Sequence, residues 1–132
     1  MNIYMSLPTG RVRAFSGDRV QQCDRDTIRA AGMLIRYTSV RLTMNATHFH
    51  QILTGFPNSL WFIALDPSWW RGGDGHVVAA QHDAGGGPHF FDPNYGHFHF
   101  ADFARFRTWI DRFLVDSGYR RAFKYVKFFC VV

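Results

Sequence analysis

The chain has 132 residues, 47% hydrophobic and 17% aromatic, with 14 phenylalanines. That is enough apolar side chain for one packed core and too little length for two ordinary domains. Such a composition argues against disorder beyond the first residues, and no stretch approaches the roughly 18 apolar residues of a membrane helix. Lys and Arg outnumber Asp and Glu by 15 to 10, a formal charge of +5 that biases the surface toward anionic partners without specifying a function.

Residues 1–20 carry Pro8, Gly10 and Gly17 with little periodicity and read as an arm or loop, leaving residues 21–132 as a single domain. The N-terminus lacks the apolar run of a secretory signal, so the chain is expected in the cytoplasm or exported by a route that needs none. A helix is predicted through "DRDTIRAAGMLIRYTSV", capped by Asp24 or Asp26, with Ile28, Ala31, Leu34 and Ile35 on one side. A shorter helix begins at Asn45 or Thr47, turns Phe49, Ile52 and Leu53 inward and closes at Gly55.

From residue 59 the period changes. "SLWFIAL" is short, bulky and bounded by turn residues, which suits a strand buried on both faces. "GHVVAAQH", "PHFFD" and "HFHF" follow as strands separated by glycine- and proline-rich turns. "DFARFRTWIDRFLVDSG" then lines up Phe103, Phe106, Trp109, Ile110, Phe113 and Leu114 on one helical stripe, with Asp102 as N-cap and Gly118 as stop. "AFKYVKFFCVV" closes the chain as a strand. The middle connections are too short for parallel crossovers, so the expected class is α+β: an antiparallel sheet with helices on one face.

Chemistry concentrates in the hairpin of residues 75–93. If its loop is symmetric about Ala84, His76 falls directly opposite Asp92, within reach of an imidazole–carboxylate hydrogen bond. A carboxylate on one ring nitrogen fixes the tautomer, leaves the other nitrogen as a base and stabilises the imidazolium. That is the base-plus-orienter half of a nucleophilic triad, and it is equally the description of a satisfied polar pair at a sheet end.

"GDGHVVAAQ", then "FFDPNYGHFHF", then an aromatic-rich helix together resemble the C-terminal half of the YopT and AvrPphB group of effector cysteine proteases, a branch of the papain-like fold. The likeness covers roughly residues 58–115. It implies a compact papain-like architecture, His76 as catalytic histidine and Asp92 as its orienter. The group's nucleophile is a cysteine among small residues at the start of a central helix, whereas Cys23 stands in "VQQCDRDTI". Cys23 is nonetheless the candidate nucleophile, because just before a helix the free amides would favour its thiolate. Gln21 and Gln22 are candidate oxyanion donors.

Cys130 alternates with Phe128 and Val132 on a strand and reads as a buried, inert thiol. His97 and His99 share a strand face, with His89 or His82 nearby, but two imidazoles do not close a zinc site, and neither metal nor cofactor is expected. Two basic regions run through Arg11, Arg13, Arg19, Arg25 and Arg29, and through Arg120, Arg121, Lys124 and Lys127. Phe123, Tyr125 and Phe129 beside the second could stack on bases, but no nucleic-acid motif accompanies them, so protein or peptide is the expected partner. Trp61, Trp69 and Trp70 would wall a cleft or cover the core. Two functions remain: a papain-like cysteine protease, or a descendant that has lost activity; and a non-enzymatic interaction domain that keeps the sheet.

Overall fold

A computed structural model describes residues 17–67, 75–83 and 85–132, with side chains described from Asp24 onward. The chain runs α1 (Gly17–Ala30), β1 (Ile35–Arg41), α2 (Ala46–Gly55), β2 (Ser59–Asp66), β3 (His76–Asp83), β4 (Gly87–Asp92), β5 (Gly96–His99), α3 (Phe103–Asp116), α4 (Tyr119–Ala122) and β6 (Tyr125–Val131). The strands form one antiparallel sheet in the order β1-β6-β2-β3-β4-β5. β2 to β5 make a meander, and β6 returns after α3 to insert between β1 and β2.

Strand alternation sends side chains to two cores. Trp61, Ile63 and Leu65 of β2 join Val78, Phe90 and Phe128 under α2 and α3, where Phe49, Ile52, Phe106 and Ile110 meet them. Phe62 and Ala64 point the other way, onto Ile28 of α1 with Val77, Phe129 and Val131. Covered on both faces, β6 and β2 beyond the exposed Leu60 have no solvent side, which is why "SLWFIAL" shows no polar alternation. Helices therefore lie on both faces of the sheet, not on one as expected. Among the described residues, Ile28 is the α1 side chain buried in this second core.

The first predicted helix stops early. Gly32 adopts φ 81°, the left-handed conformation that ends helices, and the β-branched stretch after it forms β1. Ile35 is thus a strand residue, and Leu34 is 69% exposed and not part of a helical stripe. The helix also starts sooner, at Gly17, inside the segment expected to be a loop.

The other elements lie within a few residues of their predicted bounds. Asn45 caps α2, its side chain accepting from the Thr47 amide at 2.8 Å, and Asp102 caps α3, accepting from the Arg105 amide at 2.8 Å. Gly118, at φ 82°, redirects the chain into the one-turn helix α4, which begins with Tyr119.

Candidate active site

His76 opens β3 and Asp92 closes β4, both on the face covered by α3 and α4. His76 Nε2 lies 2.9 Å from Asp92 Oδ1, with 5% of the histidine and none of the aspartate exposed. The Asn94 amide donates to the same oxygen at 2.8 Å, and the Tyr119 hydroxyl donates to Oδ2 at 2.7 Å. Asp92 thus accepts three hydrogen bonds inside the protein. Burial alone would push its carboxyl up, but the bonds from His76, Asn94 and Tyr119 outweigh it, and the net shift is downward. Asp92 is held as a carboxylate. Burial first, then the bond to that carboxylate, holds the Tyr119 phenol well above its ordinary range, so it remains a donor.

The imidazole is packed as well as bonded. Its centroid lies 5.2 Å from the Tyr119 ring and 6.3 Å from Phe123, the latter at an interplanar angle of 14°. With Nε2 on the carboxylate, the hydrogen-bonded tautomer carries its proton there and leaves Nδ1 as the basic nitrogen.

The hairpin register differs from the expected one by two residues. Asp83 pairs with Gly87, so the loop is symmetric about Gly85, and the ladder continues through Ala79 with Phe91. One further step places Asp92 opposite position 78, two residues from His76. A two-residue slip keeps both side chains on one face, whereas a slip of one would separate them. The pair meets on the diagonal, which long side chains can span. Gly87 explains the position of the turn: its φ is 84°, and a Cβ there would lie 2.2 Å from the Phe100 carbonyl oxygen.

Tyr119 was not among the residues singled out from sequence. It stands 27 positions from Asp92 on a helix of four residues, too short to show periodicity. Its available signal is a tyrosine directly after the glycine that ends α3.

Cys23, Gln21 and Gln22 lie in α1, and their side chains fall outside the described residues. Because α1 begins at Gly17, Cys23 is well past the four free amides of the helix start, which removes the expected dipole argument for its thiolate. The next residue, Asp24, is buried and paired with Lys127 of β6, whose Nζ is 2.8 Å from Asp66 Oδ2. Asp66 follows Leu65, the β2 partner of His76. This part of α1 therefore sits at the His76 end of the sheet, over the opposite face.

Cys130 is 2% exposed opposite Trp61, four residues along β2 from Leu65, or about 13 Å at strand rise. Burial pushes its thiol up. Trp61 is fully buried and donates to Ser59 Oγ at 2.7 Å, so it belongs to the core and not to a cleft. Trp69, Trp70, Arg11 and Arg13 lie outside the described residues. Lys127 and Phe129 are both buried, which removes them from any surface for nucleic acid.

The sequence profile of the peptidase C58 family, described as Yersinia/Haemophilus virulence surface antigen, matches residues 58–132, more than half of the chain. The chain belongs to the peptidase C58 family. A relative from Yersinia pseudotuberculosis, the cysteine protease YopT, is 43% identical over 43 residues, 33% of this chain and 13% of YopT. The match thus spans about an eighth of the relative's length. The crystal structure of the Pseudomonas avirulence protein AvrPphB superposes with a TM-score of 0.69 at 15% identity, covering 99% of this chain and 70% of that one. At that identity the likeness speaks for the fold, the papain-like α+β architecture expected from sequence. The C58 match begins one residue before β2 and takes in the whole meander, α3 and β6.

Proposed function

We propose that this C58 chain carries the proton-transfer half of a cysteine-peptidase centre acting on a protein or peptide. The observation that supports it most is the 2.9 Å contact between His76 Nε2 and a fully buried, triply hydrogen-bonded Asp92. In this reading His76 Nδ1 takes the proton of a cysteine thiol as sulfur attacks the substrate acyl carbon. The imidazolium, stabilised by Asp92, then gives that proton to the leaving amine; in the second half the same nitrogen takes a proton from a water that attacks the thioester, and the carboxylic acid and the cysteine thiol are released. Cys23 is the thiol the chain offers, since Cys130 is buried near the other end of β2. Gln21 or Gln22 would donate to the oxyanion. The virulence description of the C58 family fits a protein substrate.

A second reading follows from α1. Its packing on the sheet face opposite His76, with Cys23 inside the helix, favours an interaction domain that retains the His–Asp pair without a nucleophile. A peptide-based electrophile that captures active thiols separates the two. Rapid labelling of Cys23 at neutral pH that is lost in His76→Ala and slowed in Asp92→Asn supports the peptidase. Equal, slow labelling in all three supports the interaction domain.

A further inference from the structure

The outer face of β4 and β5 carries three histidines that the proposed peptidase chemistry does not use. Antiparallel pairing sets His89 directly opposite His99, and His97 lies two residues before it on β5. Phe90 and Phe98 turn inward from the same strands to pack against Trp109 of α3, while the imidazoles share the outer face with the half-buried Phe91, which stands opposite His97. His89 and His99 rings stack with centroids 4.2 Å apart, and His89 and His97 centroids are 5.2 Å apart. His89 Nδ1 and His97 Nε2 stand 3.0 Å from each other, while His99 Nε2 is engaged with the Gly86 carbonyl.

The geometry points to a surface chelate in which His89 and His97 hold one divalent ion that favours imidazole, of the Ni²⁺, Cu²⁺ or Zn²⁺ class, across the last two strands. Two metal–nitrogen bonds of about 2.0–2.1 Å meeting at a right angle span about 2.9 Å, the separation of adjacent ligands on a tetragonal ion. The ring nitrogens already stand at nearly that distance. The ring that now carries the shared proton would bind as its other tautomer, the proton passing through water to its remote nitrogen, and both rings would turn so that their facing lone pairs converge on the ion. Among the described residues no group of three His, Cys, Asp or Glu is placed to hold a metal ion, so water would complete the coordination. His99 keeps its carbonyl partner and braces His89 by stacking. Occupancy would clamp β5, a four-residue strand at the sheet edge, to β4.

This inference does not depend on the peptidase reading. Ni²⁺ alone, titrated calorimetrically into the full chain at neutral pH, is expected to bind saturably at one site. His89→Ala and His97→Ala should each weaken it by about tenfold or more, the cost seen even for perturbing residues that support metal ligands. His99→Ala should retain it, and affinity should fall with acidification as protons compete. In the unaltered protein, diamagnetic Zn²⁺ should shift the imidazole resonances of His89 and His97 ahead of the other five histidines. Absence of saturable binding, binding unchanged in both alanine variants, or equal loss in His99→Ala would overturn the assignment.

Discussion

Replacing Tyr119 with Phe removes the strongest bond that its hydroxyl makes in the buried network. The ring and its contacts with His76, Tyr95 and Phe113 are kept, and the hydroxyl that donates to Asp92 Oδ2 at 2.7 Å is lost together with the long 3.5 Å bond it accepts from Asn94 Nδ2. Asp92 retains His76 and the Asn94 amide. A hydrogen bond to a charged group contributes about 1.5–3 kcal/mol, so Tyr119→Phe should destabilise the fold by that amount at neutral pH. The folded Asp92 carboxyl titrates below its ordinary value of 3.8. Its contribution is therefore complete above that value and disappears as pH falls through the lower folded one. Tyr119→Phe moves the folded value back up, so the gap between the two proteins should be full at neutral pH and narrow on acidification below about 4. Urea unfolding followed by tryptophan fluorescence across that range measures both quantities. A difference under about 0.5 kcal/mol at neutral pH, or a gap that does not change with acid, would refute the reasoning.

Two further outcomes follow from the sheet and its packing against α1. Lys127→Met leaves Asp24 and Asp66 buried without the cation between them and should cost about 3–5 kcal/mol, whereas joint replacement of all three by apolar residues should recover most of it in the same unfolding assay. Gly87→Ala combines a left-handed backbone with a Cβ driven into the Phe100 carbonyl, and should lower stability by more than the about 0.4–1 kcal/mol by which a compatible glycine-to-alanine change raises it, with accelerated amide exchange along β4.

Much of this architecture could be read from the chain because local chemistry and burial agree. Asn45 and Asp102 announce their helices, and "SLWFIAL" announces a strand with no solvent face beyond Leu60. The pairing of His76 with Asp92 was legible for a different reason. Strand parity survives a two-residue slip, so an incorrect loop centre at Ala84 still put both side chains on one face. What failed depended on tertiary partners. The apolar period of Ile28, Ala31, Leu34 and Ile35 suggested a continuing helix, but Gly32 ends it, and pairing with β6 makes β1 of the sequence that follows. Tyr119 escaped because a single turn of helix carries no pattern, although it supplies one of the three bonds that hold Asp92.

The tautomer of His76 tests the central claim most directly. Long-range ¹H–¹⁵N spectra of the imidazole at a pH where it is neutral should show the proton on Nε2 and a bare Nδ1 in the wild type, with that preference weakened in Asp92→Asn. A proton fixed on Nδ1, or a tautomer indifferent to the loss of the carboxylate, would contradict the assignment of His76 as a base held by Asp92.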